Sequence, residues 1–258
     1  MRIFWIKIIV KLACLAALLV PLVATAAPAP EAPRGRIAEY EASARLIGKA
    51  GALEPLADIT ERWQFEGLRP ARALTLGSYY RAHSNLKLGL FYRVQAGSRH
   101  DDDWIKDATG NWFWRQTTNR PENVAILDMT PRVKLGGSWV GSLKIRYEHN
   151  FFNNHSTMKL EPEIAWFWLD GLTPKGTVFL RHGTYLPLNF GAGSFYERWW
   201  YLAGLWHAAP TLSVGPSVAL RDEIWSTSAT FRENAPGVSY RTLYRSVMWG
   251  FTVIFRPN

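Results

Sequence analysis

From about residue 57 to its end the chain alternates apolar and polar residues with a period of two. Successive side chains of a β-strand point to opposite faces, so this pattern describes strands with one apolar and one polar side. In 158–169, Leu160, Ile164, Trp166 and Trp168 share a face, and Lys159, Glu161, Glu163 and Ala165 share the other. In 143–151, Leu143, Ile145, Tyr147 and Phe151 oppose Lys144, Arg146, Glu148 and Asn150. In 86–96, Leu86, Leu88, Leu90, Tyr92 and Val94 oppose Lys87, Gly89, Arg93 and Gln95. Similar segments lie near 59–66, 71–83, 123–135, 177–188, 196–207, 211–225 and 240–256. Together they predict about ten strands, most of them long enough to cross a bilayer at a tilt.

The connections alternate as well. Short turns fall at Ser84-Asn85, Gly136-Gly137, Gly171 to Gly176 and Ala208 to Pro210, and longer loops at 98–121, 152–157, 189–195 and 226–239. A soluble β-sandwich would also alternate. It would not place Lys, Arg and Glu deep within strands, nor crowd Trp and Tyr toward the strand ends, where interfacial girdles sit. The expectation is therefore an all-β fold over residues 57–258. It is a closed antiparallel transmembrane β-barrel of about ten strands, with twelve as the alternative.

Aromatic residues make 14% of the chain, which excludes a disordered polymer. Residues 1–26 read as a signal peptide: Arg2, Lys7 and Lys11 precede an apolar stretch that ends at Ala24-Thr25-Ala26, a small-x-small cleavage pattern. The apolar stretch is too short for a membrane anchor. The single cysteine, Cys14, lies inside this leader, so the mature chain has no thiol or disulfide, as suits export. Losing three bases and no acid takes the net charge from +9 to +6. Export argues against a nucleic-acid partner, and no nucleic-acid motif occurs. Residues 27–56 read as a Pro-rich linker followed by a short amphipathic periplasmic helix. Within it Ile37, Tyr40, Ala44 and Ile47 recur at helical spacing before Gly48, and the helix would cap or plug the barrel.

The last strand carries a further signature. Val247, Trp249, Phe251, Val253 and Phe255 face one way, and Gly250, Val253 and Phe255 form a Gly-x-x-apolar-x-aromatic ending. In this the chain resembles small outer-membrane β-barrel proteins of Gram-negative bacteria, over residues 57–258. It departs from them in having Arg256-Pro257-Asn258 after the final aromatic. The resemblance implies location in the outer membrane, with membrane lipid and the envelope assembly machinery as partners.

If the apolar face meets lipid, strand phase assigns the lumen. It collects Arg81, Lys87, Arg93, Asp128, Arg132, Lys134, Lys144, Arg146, Glu148, Lys159, Glu161, Glu163, Arg181, Arg198, Arg221 and Glu223, eleven bases against five acids. A two-residue turn at Asn154-His155 would set Arg146 opposite Glu163 and Asn150 opposite Lys159. A three-residue loop at Gly136-Gly137-Ser138 would set Asp128 opposite Arg146. These charges either pair into a packed polar core or line a narrow passage that favours anionic solutes, with Arg81, Arg93, Arg181, Arg198 and Arg221 unpaired.

Enzymatic signals are weaker. His83-Ser84 and His155-Ser156 are adjacent pairs, which a strand would send to opposite faces, although His149, Asn153 and Asn154 lie near the second pair. His100-Asp101-Asp102-Asp103 would suit a hard cation but equally a solvated loop tip. No phosphate-binding glycine loop, paired-histidine helix or cysteine pair appears in the mature chain, so neither cofactor nor metal is expected. The function classes left are a narrow channel or transport-associated barrel, a non-conducting structural or assembly component, and a lipid-modifying enzyme.

Overall fold

The computed structural model describes residues 37–64, 71–97, 104–106, 112–114, 121–189, 197–226 and 241–257. The leader, most of the Pro-rich linker and the acidic loop run at 100–103 lie outside the described residues. The strands in chain order are β1 (Ile37–Ile47), β2 (Leu53–Gln64), β3 (Ala71–His83), β4 (Leu86–Ala96), β5 (Trp104–Lys106), β6 (Trp112–Trp114), β7 (Glu122–Gly136), β8 (Trp139–Asn150), β9 (His155–Asp170), β10 (Thr173–Pro187), β11 (Glu197–Ala209), β12 (Leu212–Ser226) and β13 (Arg241–Phe255). Eleven of them close into a barrel, each beside its neighbour in sequence, with β4 next to β7; β5 and β6 make a separate hairpin in the long connection between those two.

Three expectations change here. The strand number is eleven, not about ten. The segment expected as a helix is strand β1, and the described residues contain no helix. In β1 the charged or polar Glu39, Glu41, Ser43 and Arg45 alternate with Ala38, Tyr40, Ala42 and Ala44. Ile37, Tyr40, Ala44 and Ile47 satisfy the helical spacing by coincidence, because small outward alanines leave the period-two signal faint. The barrel is also not wholly antiparallel. An odd number of up-and-down strands makes the first and last run the same way, so closure has to be parallel. β1 pairs parallel with β13, from Ile37↔Ser246 to Leu46↔Phe255, and antiparallel with β2.

Turns occur where expected. Gly137 and Gly171 supply the positive φ of tight connections, at 51° and 60°. These short turns share one end of the barrel with Phe255, and the long connections share the other, so the two rims are called here the turn end and the loop end.

Register agrees with expectation in one hairpin and not in the next. Asp128 stands opposite Arg146 across β7 and β8. Across β8 and β9, however, Asn150 pairs with His155 and Arg146 with Lys159, so Arg146 does not face Glu163. The connection is four residues, Phe151 to Asn154, and Asn154 takes the left-handed conformation at φ 57°. This displaces the expected register by four positions, an even number, and so every side chain keeps its assigned face.

Inside, an apolar cluster packs among the charged residues of the wall between β2 and β7. Phe91, Val124 and Ile126 are buried, with Leu56 and Tyr79 packed on them. Gly89 makes the room, since a Cβ there would lie 2.5 Å from the Phe91 ring and 2.9 Å from Asp128. Outside, Leu90, Leu127, Trp168, Trp206, Trp249 and Phe251 are each more than half exposed, so the outer wall is apolar and uncovered.

The seam makes a direct prediction. Ser43 and Thr252 are paired across it, their hydroxyl oxygens 2.8 Å apart. In a Cys14→Ser background, Ser43→Cys with Thr252→Cys should crosslink on mild oxidation, detected by intact mass and by a mobility shift lost on reduction. A helical N-terminal segment would leave the two thiols uncoupled.

Candidate functional site in the barrel lumen

Side chains from the polar face of nearly every strand meet in the lumen and form an ion-pair ladder. Arg146 on β8 grips Asp128 on β7 with two parallel bonds, Nε to Oδ1 at 2.6 Å and Nη2 to Oδ2 at 2.8 Å. This fork-to-carboxylate geometry is the strongest form of the interaction. The Tyr79 hydroxyl donates to the same carboxylate at 3.1 Å, and Asp128 has no side-chain exposure left. Beside them Glu148 accepts from Arg93 at 2.7 and 3.2 Å and pairs with Lys159 at 2.9 Å. Lys144 lies 3.6 Å from Glu161, which also accepts from the Tyr185 hydroxyl at 3.1 Å, and Arg181 binds Glu163.

A second hub sits at the seam. Arg221 on β12 binds Glu197 on β11, lies 2.8 Å from Glu223 on its own strand and 3.3 Å from Glu39 on β1. Ser246 on β13 donates to Glu39 at 2.9 Å. Arg62 holds Glu41 at 2.9 Å, and Glu54 takes both Arg81 and Lys87. Near the loop end Gln95 and Asn150 both donate to Glu122, at 3.0 and 2.8 Å.

Of the two readings, the arrangement is the paired one rather than the one with unpaired arginines. Arg81, Arg93, Arg181 and Arg221 each bind a carboxylate in the lumen. The fifth, Arg198, is not in the lumen at all. On β11 the inward residues are Glu197, Trp199 and Tyr201, so Arg198 points outward and pairs there with Asp222 at 3.3 Å. Nor is the lumen strongly basic. Glu39, Glu41, Glu54, Asp58, Glu122 and Glu197 belong to it and were missed, the first three because β1 and the start of β2 read as linker and helix. Arg132 stands near the turn end with its Nε buried and without a hydrogen-bond partner among the described residues. Lys134 is exposed at the same end.

Aromatic residues inside the barrel were missed too. Phe179 stacks on Tyr201 at 5.8 Å, Trp199 meets Tyr201 edge-on at 5.2 Å, Lys159 lies 4.2 Å from the Tyr185 ring and Arg181 5.2 Å from that of Phe179. Rings that carry cations on their faces are at home in a charged lumen. The available signal was phase: Phe179 and Tyr185 alternate with Leu180 and Thr184, on the same side as Arg181.

Between these side chains runs an open space of about 930 Å³. Its lining extends from Gln95, Asn150 and His155 at the loop end to Pro174, His207 and Arg256 at the turn end.

The remaining sequence candidates separate. Ser84 Oγ lies 3.3 Å from His83 Nδ1, because Ser84 begins the turn that follows β3, and both are exposed there. His155 faces the lumen while Ser156 faces outward, where its Oγ lies 3.0 Å from His149 Nδ1 and 3.1 Å from the Tyr147 hydroxyl. No acid contacts that histidine among the described residues, and Ser156 is buried. No cluster of three or more His, Cys, Asp or Glu suited to a metal ion occurs among the described residues. Val253 and Phe255 face outward at the turn end, and Gly250 faces inward, where a Cβ would meet Ser217 Oγ at 2.2 Å. No protein-family model matches the chain, and comparison with curated proteins finds no match.

Removing one member of a buried pair leaves its partner charged and unpaired, at a cost of about 3–5 kcal/mol, whereas a pair screened by water loses about 1 kcal/mol or less. Asp128 is fully buried, so Arg146→Ala should fall in the upper range. Denaturant unfolding in detergent micelles measures it. Exchanging the two, as Asp128→Arg with Arg146→Asp, should recover a substantial part of the loss. Combining Arg146→Glu with Glu163→Arg should recover none, because those residues do not meet.

Proposed function

We propose that the chain is an exported outer-membrane β-barrel whose lumen gives small polar solutes and ions a narrow, weakly selective passage. The observation that carries this reading is the space of about 930 Å³ threading a polar lumen from rim to rim inside an apolar, uncovered outer wall. A wall of that kind suits hydrocarbon. In a bilayer every backbone group has to be satisfied within the protein, and a closed barrel does this without an open edge. The leader, the Trp and Tyr residues of the outer wall and the outward Val253 and Phe255 support the same placement. The eleven strands and parallel seam depart from the even-numbered, antiparallel habit of bacterial single-chain barrels.

The pairing of Arg81, Arg93, Arg181 and Arg221 revises the expected preference for anions. A ladder in which acids and bases neutralise one another presents little net field to a passing ion, so selectivity should be slight. Barrels of eight strands are filled by side chains and those of sixteen leave a wide channel. Eleven strands belong to the narrow part of that range.

In planar bilayers the refolded mature protein should give small, steady conductance steps with a reversal potential near zero in a salt gradient. Complete absence of conductance would overturn the passage and leave a structural envelope barrel. Strong anion selectivity would show that the arginines are less neutralised than their contacts imply.

In cells the protein should sediment with the outer membrane and run faster on a gel when unboiled. Phe255→Ala should lower the assembled fraction several-fold with synthesis unchanged. Recovery as a soluble periplasmic protein would refute the membrane reading.

A further inference from the structure

The outer wall carries a polar row near the loop end of β10, β11 and β12. There His182 and Thr184, Arg198 and Trp200, and Leu220 and Asp222 face outward side by side. They surround a cavity of about 540 Å³ that opens on the outside of the barrel, separate from the lumen. That volume lies within the range of small-ligand sites. Trp199 also contributes to its lining, although its indole lies on the lumen side against Gly183, where a Cβ would come 2.6 Å from Nε1.

The cavity is polar in a particular way. Arg198 is half exposed, and Asp222 braces its guanidinium through contacts at 3.3 Å to Nε and to Nη2. The His182 ring lies 4.4 Å from Trp200, and its Nε2 is 3.1 Å from Thr184 Oγ1. Its other nitrogen, Nδ1, is buried with no hydrogen-bond partner among the described residues. Arg245 on β13 stands opposite Asp222, which adds a second cation to the same outward row. Below this row the wall is again apolar, with Leu180, Leu202 and Val218, and above it on β10 comes Leu186.

We propose that this cavity seats the phosphate-bearing headgroup of a membrane lipid. Arginine presents a rigid fork of donors that matches phosphate oxygens, and when His182 Nε2 donates to Thr184 the Thr184 hydroxyl is free to donate beside it. Trp200 and Leu220 offer the glycerol and upper acyl region an apolar floor. A charged row on a wall otherwise built for hydrocarbon belongs at headgroup depth, where a lipid phosphate lies. Its charge alone argued for Arg198 in the lumen; the outward cavity gives it this different role. The proposal rests on the outer wall facing lipid, as inferred above.

The test uses the refolded full chain in detergent and native mass spectrometry. Phosphatidylglycerol, phosphatidylethanolamine and diacylglycerol with the same acyl chains are offered in turn. The two phospholipids should be retained about tenfold better than diacylglycerol, the factor that a charge-assisted hydrogen bond supplies. Arg198→Ala should bring phospholipid retention down to the diacylglycerol level, and Arg198→Lys should keep part of it. Thr184→Val, of nearly unchanged shape, should lose a smaller part and serves if Arg198→Ala fails to give the fast-migrating folded band. Excess inorganic phosphate should not displace bound phospholipid; displacement would identify free phosphate as the ligand and overturn the lipid assignment. Equal retention of all three lipids, or retention unaffected by Arg198→Ala, would overturn the site while leaving the membrane reading intact. Failure of the unaltered chain to insert into vesicles at all would overturn both.

Discussion

The backbone hydrogen bonds of the seam between β1 and β13 are the constraint on which the rest of this structure depends. Without β1, strands β2 and β13 would each present a row of unpaired N–H and C=O groups, and the sheet would have two open edges. With it, ten register partners join β1 to β13 and the barrel has none. The odd strand count then leaves no choice of direction, and the seam is parallel. Closure also places charges. It carries Glu39 to Arg221 and to Ser246, contacts between residues far apart in the chain.

Given closure, electrostatics organise the interior. A charge taken from water costs several kcal/mol unless it is matched, and the matching here is made by arginine forks and shared carboxylates. Glu148 answers Arg93 and Lys159, and Arg221 collects three acids from three strands. Such sharing neutralises the lumen without filling it, since long side chains pair along the wall and leave the axis open. The aromatic cluster of Phe179, Tyr185, Trp199 and Tyr201 works with the charges, giving Lys159 and Arg181 ring surfaces on which to rest.

The outer wall obeys the opposite rule, and its exception is informative. Trp, Leu, Val and Phe cover it, and the outward pair Arg198–Asp222 interrupts it close to the loop end. A second outward pair, Glu61 with Arg72, also sits toward the loop end. Asp170 pairs with Lys175 at the turn end, and the group around Arg198 encloses a cavity.

Much of this was legible in the sequence. Alternation over long segments determined that the chain is all-β and which face of most strands is charged. Glycine at the turns and the spacing of the loops determined where strands reverse, and the contact of Asp128 with Arg146 followed from one short connection. These features are local: a side chain's face depends on its own strand's phase, and a tight turn on a few residues. What the sequence could not determine depends on distant partners. β1 reads as a helix until β13 is present to pair with it, because alanines satisfy either period. The four-residue loop from Phe151 to Asn154 shifted a register that phase alone permitted. Arg198 shares its phase with the outward Trp200, Leu202 and Trp206, so its face was legible, and only its charge argued for the lumen. The neutrality of the lumen, and the open space within it, were decided only by the tertiary structure, since whether an arginine is paired depends on the register of neighbouring strands and, for Arg221 with Glu39, on closure.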